Sequence, residues 1–277
     1  MAFLILPAAL LVMLTLLAPM ALLGRISLNL YDAVDLMKEA LTPLNYVNAF
    51  ADPYYRAVLG NSLLIAITCT VLTLMLALAP AYWLSRLGPR WKSPVMIVTL
   101  LPLMVGNVVR SAGWMALLGT QGAVNTFLVW GGLSDGPVKM MSTTGAVVVG
   151  IVSVVLPYMI LTVSSVIDSV SSTVEEAASN LGAGPLTVFR RVVAPLAAPG
   201  IAAGCVLTFI LCINAYATPV LLGGARFKMM APAVFDQFTR AANWPFGAAL
   251  AIILLITTLL MTIAGNYFLS RRYVVSA

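Results

Sequence analysis

Residues 146–167 read AVVVGIVSVVLPYMILTVSSVI, a run without a single charge. At ~1.5 Å of rise per helical residue, a run of this length crosses a hydrocarbon core about 30 Å thick. It is too long for a transmembrane strand, which needs only about 9–11 residues of alternating polarity. Across this run and the comparable ones that follow, strong helix formers alternate with Gly and Pro, so a membrane-spanning helix is expected. Comparable runs recur at residues 3–23, 59–85, 95–118, 200–222 and 246–268. The chain therefore reads as an all-α polytopic membrane protein with six transmembrane helices. The first run is read as a span, because no basic segment precedes it and it exceeds the ~7–15 apolar residues of a secretory signal.

Composition agrees. Of 277 residues, 61% are hydrophobic and 9% charged, against roughly 25% charged in soluble domains, and the mean hydropathy is +1.03. Spans and connections use nearly the whole chain, so residues 1–277 are expected to form a single transmembrane domain. There is no histidine, which removes imidazole metal sites and the usual activated serine and cysteine nucleophiles. Cys69, Cys205 and Cys212 all lie in apolar runs without Cys-x-x-Cys spacing, as small core residues would. Neither clustered acids nor metal ligands gather in one plane, so no enzyme, cofactor or metal is expected.

The net charge of +6 is read as topology rather than nucleic-acid binding, since cytoplasmic loops of membrane proteins collect Lys and Arg. Arg86, Arg90 and Lys92 crowd one loop without an acid, which places it in the cytoplasm. Alternation then puts the segment 168–199, with Arg190 and Arg191, and the tail, with Arg271 and Arg272, on the same side. Both termini are accordingly expected in the cytoplasm. Arg25 opposes this assignment from the outer side, in a segment that also holds Asp32, Asp35, Glu39 and Asp52. Pro80, Pro102, Pro157 and Pro219 lie inside spans, where each is expected to kink or break its helix.

The segment 171–195 reads SSTVEEAASNLGAGPLTVFRRVVAP. Ser172 with Glu175, or Thr173 with Glu176, has capping-box spacing, and both carboxylates suit the positive end of a helix dipole. Gly182 is placed to stop that helix, Pro185 to start a second, and Pro195 to end it. Val174, Ala177, Ala178 and Leu181 follow helical apolar spacing, as do Leu186, Phe189, Val192 and Val193, with Arg190 and Arg191 left polar. A cytoplasmic helical hairpin is expected, and periodicity alone fits an amphipathic loop lying on lipid headgroups equally well.

Glu176-Ala177-Ala178, then Gly182, then Val192-x-Ala194-Pro195 resembles the EAA loop of bacterial ABC-importer permeases, with Val and Ala replacing the Ile and Leu usual before the proline. The likeness extends to Asn61-Ser62-Leu63, to the stretch Arg110 to Trp114, and to Trp244-Pro245-Phe246-Gly247-Ala248-Ala249, together similar to the spermidine/putrescine subfamily. It implies a coupling loop in which Glu175, Glu176, Ala177, Ala178, Gly182, Phe189 and Pro195 act on an ATP-binding subunit. It also implies a bacterial inner-membrane location, two copies of that subunit, a second permease and a periplasmic substrate-binding protein, in contact with membrane lipid and not with nucleic acid. No G-x-x-x-x-G-K-[ST] occurs in this chain, so ATP hydrolysis must come from another polypeptide.

Arg110 lies inside an apolar run, where an arginine costs about 2.5–3.5 kcal/mol near the helix centre. Snorkelling to the interface and lining a pathway both explain it. Asn107, Trp114, Asn214 and Tyr216 could line that pathway with Arg110 or bond between helices, whereas Tyr158 and Trp83 suit packing or the interface belt. Gly200 and Gly204 have the spacing of a close helix contact. Absence of a clear Asp or Glu within the spans argues against a proton-driven carrier and against tight polyamine binding in them. Selectivity then lies in a receptor and partner permease, or the solute is an opine-like or amino-acid-like anion or zwitterion. The alternative reading is a membrane channel or structural component with a lipid-binding loop, but the repeated filter or pore-lining charge pattern of a channel is missing.

Overall fold

The computed structural model describes residues 2–224 and 227–273, with side chains described over 11–224 and 227–267. Arg271 and Arg272 of the expected basic tail therefore fall outside the described side chains. Apart from an isolated bridge between Leu30 and Lys38, the regular elements of the described chain are helices, as expected. In order it forms α1 (Ala2–Ser27), α2 (Leu44–Ala51), α3 (Pro53–Ser85), α4 (Pro89–Met104), α5 (Asn107–Leu118), α6 (Ala123–Trp130) and α7 (Thr144–Asp168). Then follow α8 (Ser172–Asn180), α9 (Pro185–Val188), a π turn (Phe189–Val193), α10 (Ala194–Ile213), α11 (Ala217–Leu222), α12 (Met230–Thr239) and α13 (Trp244–Tyr273).

Helices Pro53–Ser85, Thr144–Asp168, Pro185–Ile213 and Trp244–Tyr267 are long and apolar enough to cross a membrane. A fifth span is formed if Pro89–Met104 and Asn107–Trp130 count as one, but this pair is bent by 89°. Leu14, Leu64, Met75, Leu259 and Leu260 are among many exposed apolar side chains, as lipid-facing surfaces require. The protein is thus an all-α, multi-pass membrane protein.

The break expected at Pro102 is found: the run 95–118 divides at Val105 and Gly106, between α4 and α5. Pro102 lies in the turn before that break, where its missing N–H already weakens the ladder. By contrast, Pro80 and Pro157 sit inside unbroken helices, because one lost hydrogen bond is tolerable in a packed span. Pro195 does not end a short helix either, since the chain runs on helically from Pro185 to Ile213. The π turn accommodates it: Ala194 N–H bonds back five residues to Phe189 C=O, and the widened turn relieves the clash between the Pro195 ring and the preceding carbonyls. The run 200–222 breaks instead after Ile213, with α11 beginning at Ala217.

The chain divides into two compact units. One comprises residues 1–61 and 229–258. Here Arg25 donates to Asn29 Oδ1 and, at 3.0 Å, to the Ala40 carbonyl, while Asn45 Nδ2 donates to the Ser27 and Asn29 carbonyls at 2.8 Å each. Arg25 therefore helps to hold the turn after α1. Asp32 pairs with Lys38 in the same turn, and that ammonium, with the Asp35 and Val34 N–H groups, holds its carboxyl down to about 2.

The other unit comprises residues 62–228 and 259–277. Its core joins Ala77 and Ala81 of α3, Met159, Val163 and Ile167 of α7, and Val188, Val193 and Ala197 of the Pro185–Ile213 helix. Gly200 and Gly204 let that helix approach α7 closely, as their spacing predicts. A Cβ at Gly200 would stand 2.3 Å from Val166 Cγ2, and one at Gly204 would stand 3.3 Å from Met159 Sδ. Cys69 and Cys212 are buried and Cys205 is half-buried, as small apolar core residues.

Candidate functional site

Helix α8 begins at a cap one residue earlier than the capping-box spacing indicates. Ser171 is the N-cap, its hydroxyl accepting from Thr173 N–H at 3.3 Å. That register puts Val174 at the third helical position, so no capping box forms, and Glu175 turns to the end of α3 instead. Its carboxylate receives Arg86 Nη2 and, at 2.9 Å, the Tyr82 hydroxyl, both from the end of α3. Arg86 also donates to Val170 C=O at 3.4 Å, and Lys92 Nζ lies 2.6 Å from Asp168 Oδ2. Two cations of the basic loop thus close on two acids of the segment 168–175, which brings these loops to one side, as their charges predict.

Gly182 ends α8 with φ at +84°, where an L side chain costs about 1–2 kcal/mol. Gly182 N–H bonds Ser179 C=O at 2.9 Å and Ala183 N–H bonds Ala178 C=O at 3.2 Å, the paired bonds of a Schellman stop. Ala178, Ala183, Val192 and Phe189 then pack on the α3, α7 and α10 core, and the Phe189 and Tyr82 rings meet edge to face at 5.3 Å. The loop is thus fastened to three helices by an ion pair and an apolar cluster. Its apolar stripe is split rather than shared: Val193 is fully buried, but Leu181 is 90% and Leu186 69% exposed. Glu176, Ala177, Gly182 and Pro195 are exposed as well. Exposed apolar side chains of this kind suit contact with another protein or with the membrane surface.

Arg86→Ala removes the cation from a carboxylate only 13% exposed, and an unpaired group of this kind costs roughly 1–3 kcal/mol. Hydrogen exchange of the α8 amides is expected to rise severalfold, and Arg86→Ala with Glu175→Ala to exchange less than Arg86→Ala alone. Unchanged exchange in the single variant would contradict the anchoring.

A second feature lies in the same unit. A cavity of about 400 Å³ is lined by Asn107 and Arg110 of α5, Val154 and Tyr158 of α7, and Asn214 and Tyr216 at the break between α10 and α11. Four of the five residues expected on a pathway meet there. Trp114 does not, because its indole Nε1 donates to Ser153 Oγ at 2.8 Å on α7. Sequence reasoning assigned Tyr158 to packing, but it also lines the cavity; its place beside Pro157 was the available signal. Arg110 donates through Nη2 to the Pro102 and Val105 carbonyls, the latter at 3.1 Å. Those carbonyls lie at the broken C-terminal end of α4, where a helix leaves acceptors unpaired and a cation is favoured. Arg110 Nη1 is buried without a protein partner. Among the described residues, no carboxylate lines this cavity.

Residues 81–273 match the family of binding-protein-dependent transport system inner membrane components. The chain belongs to this family. It is the permease component of an ABC transporter and sits in the inner membrane, with the ATPase on a separate subunit. The permease is 31% identical over 259 residues to the spermidine/putrescine transport system permease protein PotB of Haemophilus influenzae, covering 92% of this chain and 90% of that one. With the protein of the same name from Escherichia coli K12 it shares 34% over 230 residues, 83% of each chain. Its fold superposes on a chain of a bacterial ABC transporter involved in the import of the acidic polysaccharide alginate, with a TM-score of 0.79, 16% identity, and 98% and 94% of the two chains covered.

Proposed function

We propose that this permease is one of two membrane subunits of an ATP-driven polyamine importer, served by two ATP-binding subunits and a periplasmic receptor. The observation that carries the reading is likeness over most of the chain to two permeases named for spermidine and putrescine transport. Residues 1–277 act as one permease domain, with α1 as a sixth span and both termini in the cytoplasm. Basic loops around Arg86 and Arg190 support that orientation.

In this reading the segment 171–195 is the coupling loop. Its exposed face of Glu176, Ala177, Leu181 and Gly182 meets the ATP-binding subunit. Closure of the ATPases moves this loop, and the Arg86–Glu175 pair with the Phe189 cluster carries the movement into α3, α7 and α10. The cavity at Asn107, Arg110, Asn214 and Tyr216 is then part of the path, opened alternately to each side.

ATP-dependent uptake of labelled putrescine and spermidine, by this chain co-reconstituted with the proteins that co-purify with it in mild detergent, tests the reading. Saturable uptake of either amine supports it, and its absence in an assembly with active ATPase removes it. A second reading has its own observation: the unpartnered Arg110 Nη1 in a cavity without carboxylates suits an amino-acid-like carboxylate. If polyamines are the cargo, Arg110→Ala is expected to lower the maximal rate at least fivefold with KM little changed, because it loosens the α4–α5 break. A tenfold rise in KM for a carboxylate-bearing solute instead favours the second reading.

A further inference from the structure

We infer that an open cavity in the unit formed by residues 1–61 and 229–258 binds a primary ammonium group. The inference deepens the polyamine reading and rests on it for the identity of the cation. The cavity, about 600 Å³, is lined by Asn48 of α2, Asp52 and Tyr55 at the start of α3, Gln237 of α12, and Asn243 and Phe246 at the start of α13. A volume of several hundred Å³ is that of small-molecule sites.

Its chemistry is that of cation recognition. Asp52 Oδ1 accepts the Tyr54 N–H at 2.8 Å, and among the described residues the carboxylate makes no ion pair. Tyr55 Oη accepts from Gln237 Nε2 at 2.9 Å. The two rings that line the cavity, Tyr55 and Phe246, meet edge to face at 4.9 Å. Ring faces beside a carboxylate attract an ammonium through their negative quadrupole, and the amide oxygens add acceptors for its three N–H groups. Among the described residues, no lysine or arginine lines this cavity.

Charge is distributed in the same sense. The chain carries +6 overall, yet this unit holds five acids against four basic side chains, while the other holds four against eleven. The carboxylate missing from the Arg110 cavity stands here instead. By the proposed orientation it lies on the outer face, where an amine released by a receptor would arrive.

The test is equilibrium binding of labelled putrescine to the full chain in an uncharged maltoside detergent. Saturable binding is expected, weakened at least tenfold by Asp52→Asn and about threefold by Phe246→Leu, and unchanged by Asp32→Asn. Asparagine keeps the Oδ1 acceptor for the Tyr54 N–H, so Asp52→Asn removes charge without removing the helix cap. Absence of saturable binding to the unaltered chain, or equal affinity in Asp52→Asn, overturns the site. Phosphatidylethanolamine that displaces putrescine identifies a lipid amine as a further occupant, and no displacement restricts the site to soluble amines; either leaves an ammonium site standing. ATP-driven uptake separates the two claims. An assembly that binds putrescine at Asp52 but never imports it overturns the polyamine reading alone, while normal import without binding to this chain overturns the site alone.

Discussion

Glu176→Lys and Gly182→Arg are each expected to lower ATP-driven uptake at least tenfold while the permease still inserts and folds. Both positions are exposed, and a Cβ at Gly182 would meet nothing within 4 Å, so neither change disturbs the core. At Gly182 the φ of +84° adds a local cost of about 1–2 kcal/mol, borne by the end of α8 alone. What changes is the face presented outward. A lysine reverses a charge, and an arginine fills a position where a partner's surface would approach backbone. ATP hydrolysis by the assembled complex should persist or lose its response to receptor while uptake falls. Gly182→Asn, which tolerates left-handed backbone, should retain more uptake than Gly182→Arg. Wild-type uptake in correctly inserted Glu176→Lys and Gly182→Arg would show that this face contacts nothing needed for transport.

The largest effect on stability is expected at Gly200. A Cβ there would stand 2.3 and 2.4 Å from the two methyl carbons of Val166, well inside contact distance, and a β-branched side chain has little freedom to move aside. Gly200→Leu must push the Pro185–Ile213 helix off α7 or distort both, at a cost of about 3 kcal/mol or more. Thermal unfolding of the detergent-purified chain should shift down by many degrees, with part of the loss recovered in Gly200→Leu combined with Val166→Ala. Gly204→Ala should be mild, because its neighbours are the flexible Met159 thioether and the Thr162 methyl, both at 3.3 Å. A Gly200→Leu protein that melts with the wild type would refute this contact.

Both predictions start from residues that were legible without coordinates. Gly182 was recognisable as a helix stop, and Gly200 and Gly204 as a close-approach pair, because each signal lies within a few residues. Residues around the Arg110 cavity were partly legible for a similar reason: a polar side chain in an apolar run stands out wherever it points. For Trp114 the run showed polarity but not direction, and its bond to Ser153 on another helix is the interhelical alternative that the sequence left open.

The Asp52 cavity was not visible at all. It depends on the Tyr55 and Gln237 pair, separated by 182 residues, and Asp52 alone reads as one more acid in a polar loop.

Local chemistry in the sequence determined the fold class, most of the spans and the stop at Gly182. These follow from hydropathy over a window and from backbone preferences of single residues, which need no distant partner. Tertiary structure decided the 89° bend between Pro89–Met104 and Asn107–Trp130, the turning of Glu175 to Arg86 across 89 residues, and the continuation of helix past Pro195. Each is a choice between local conformations of similar energy. Such a choice is settled by the partner each group meets in three dimensions: Arg86 for the Glu175 carboxylate, Arg110 for the carbonyls that end α4, and the Phe189 carbonyl for the Ala194 N–H ahead of Pro195.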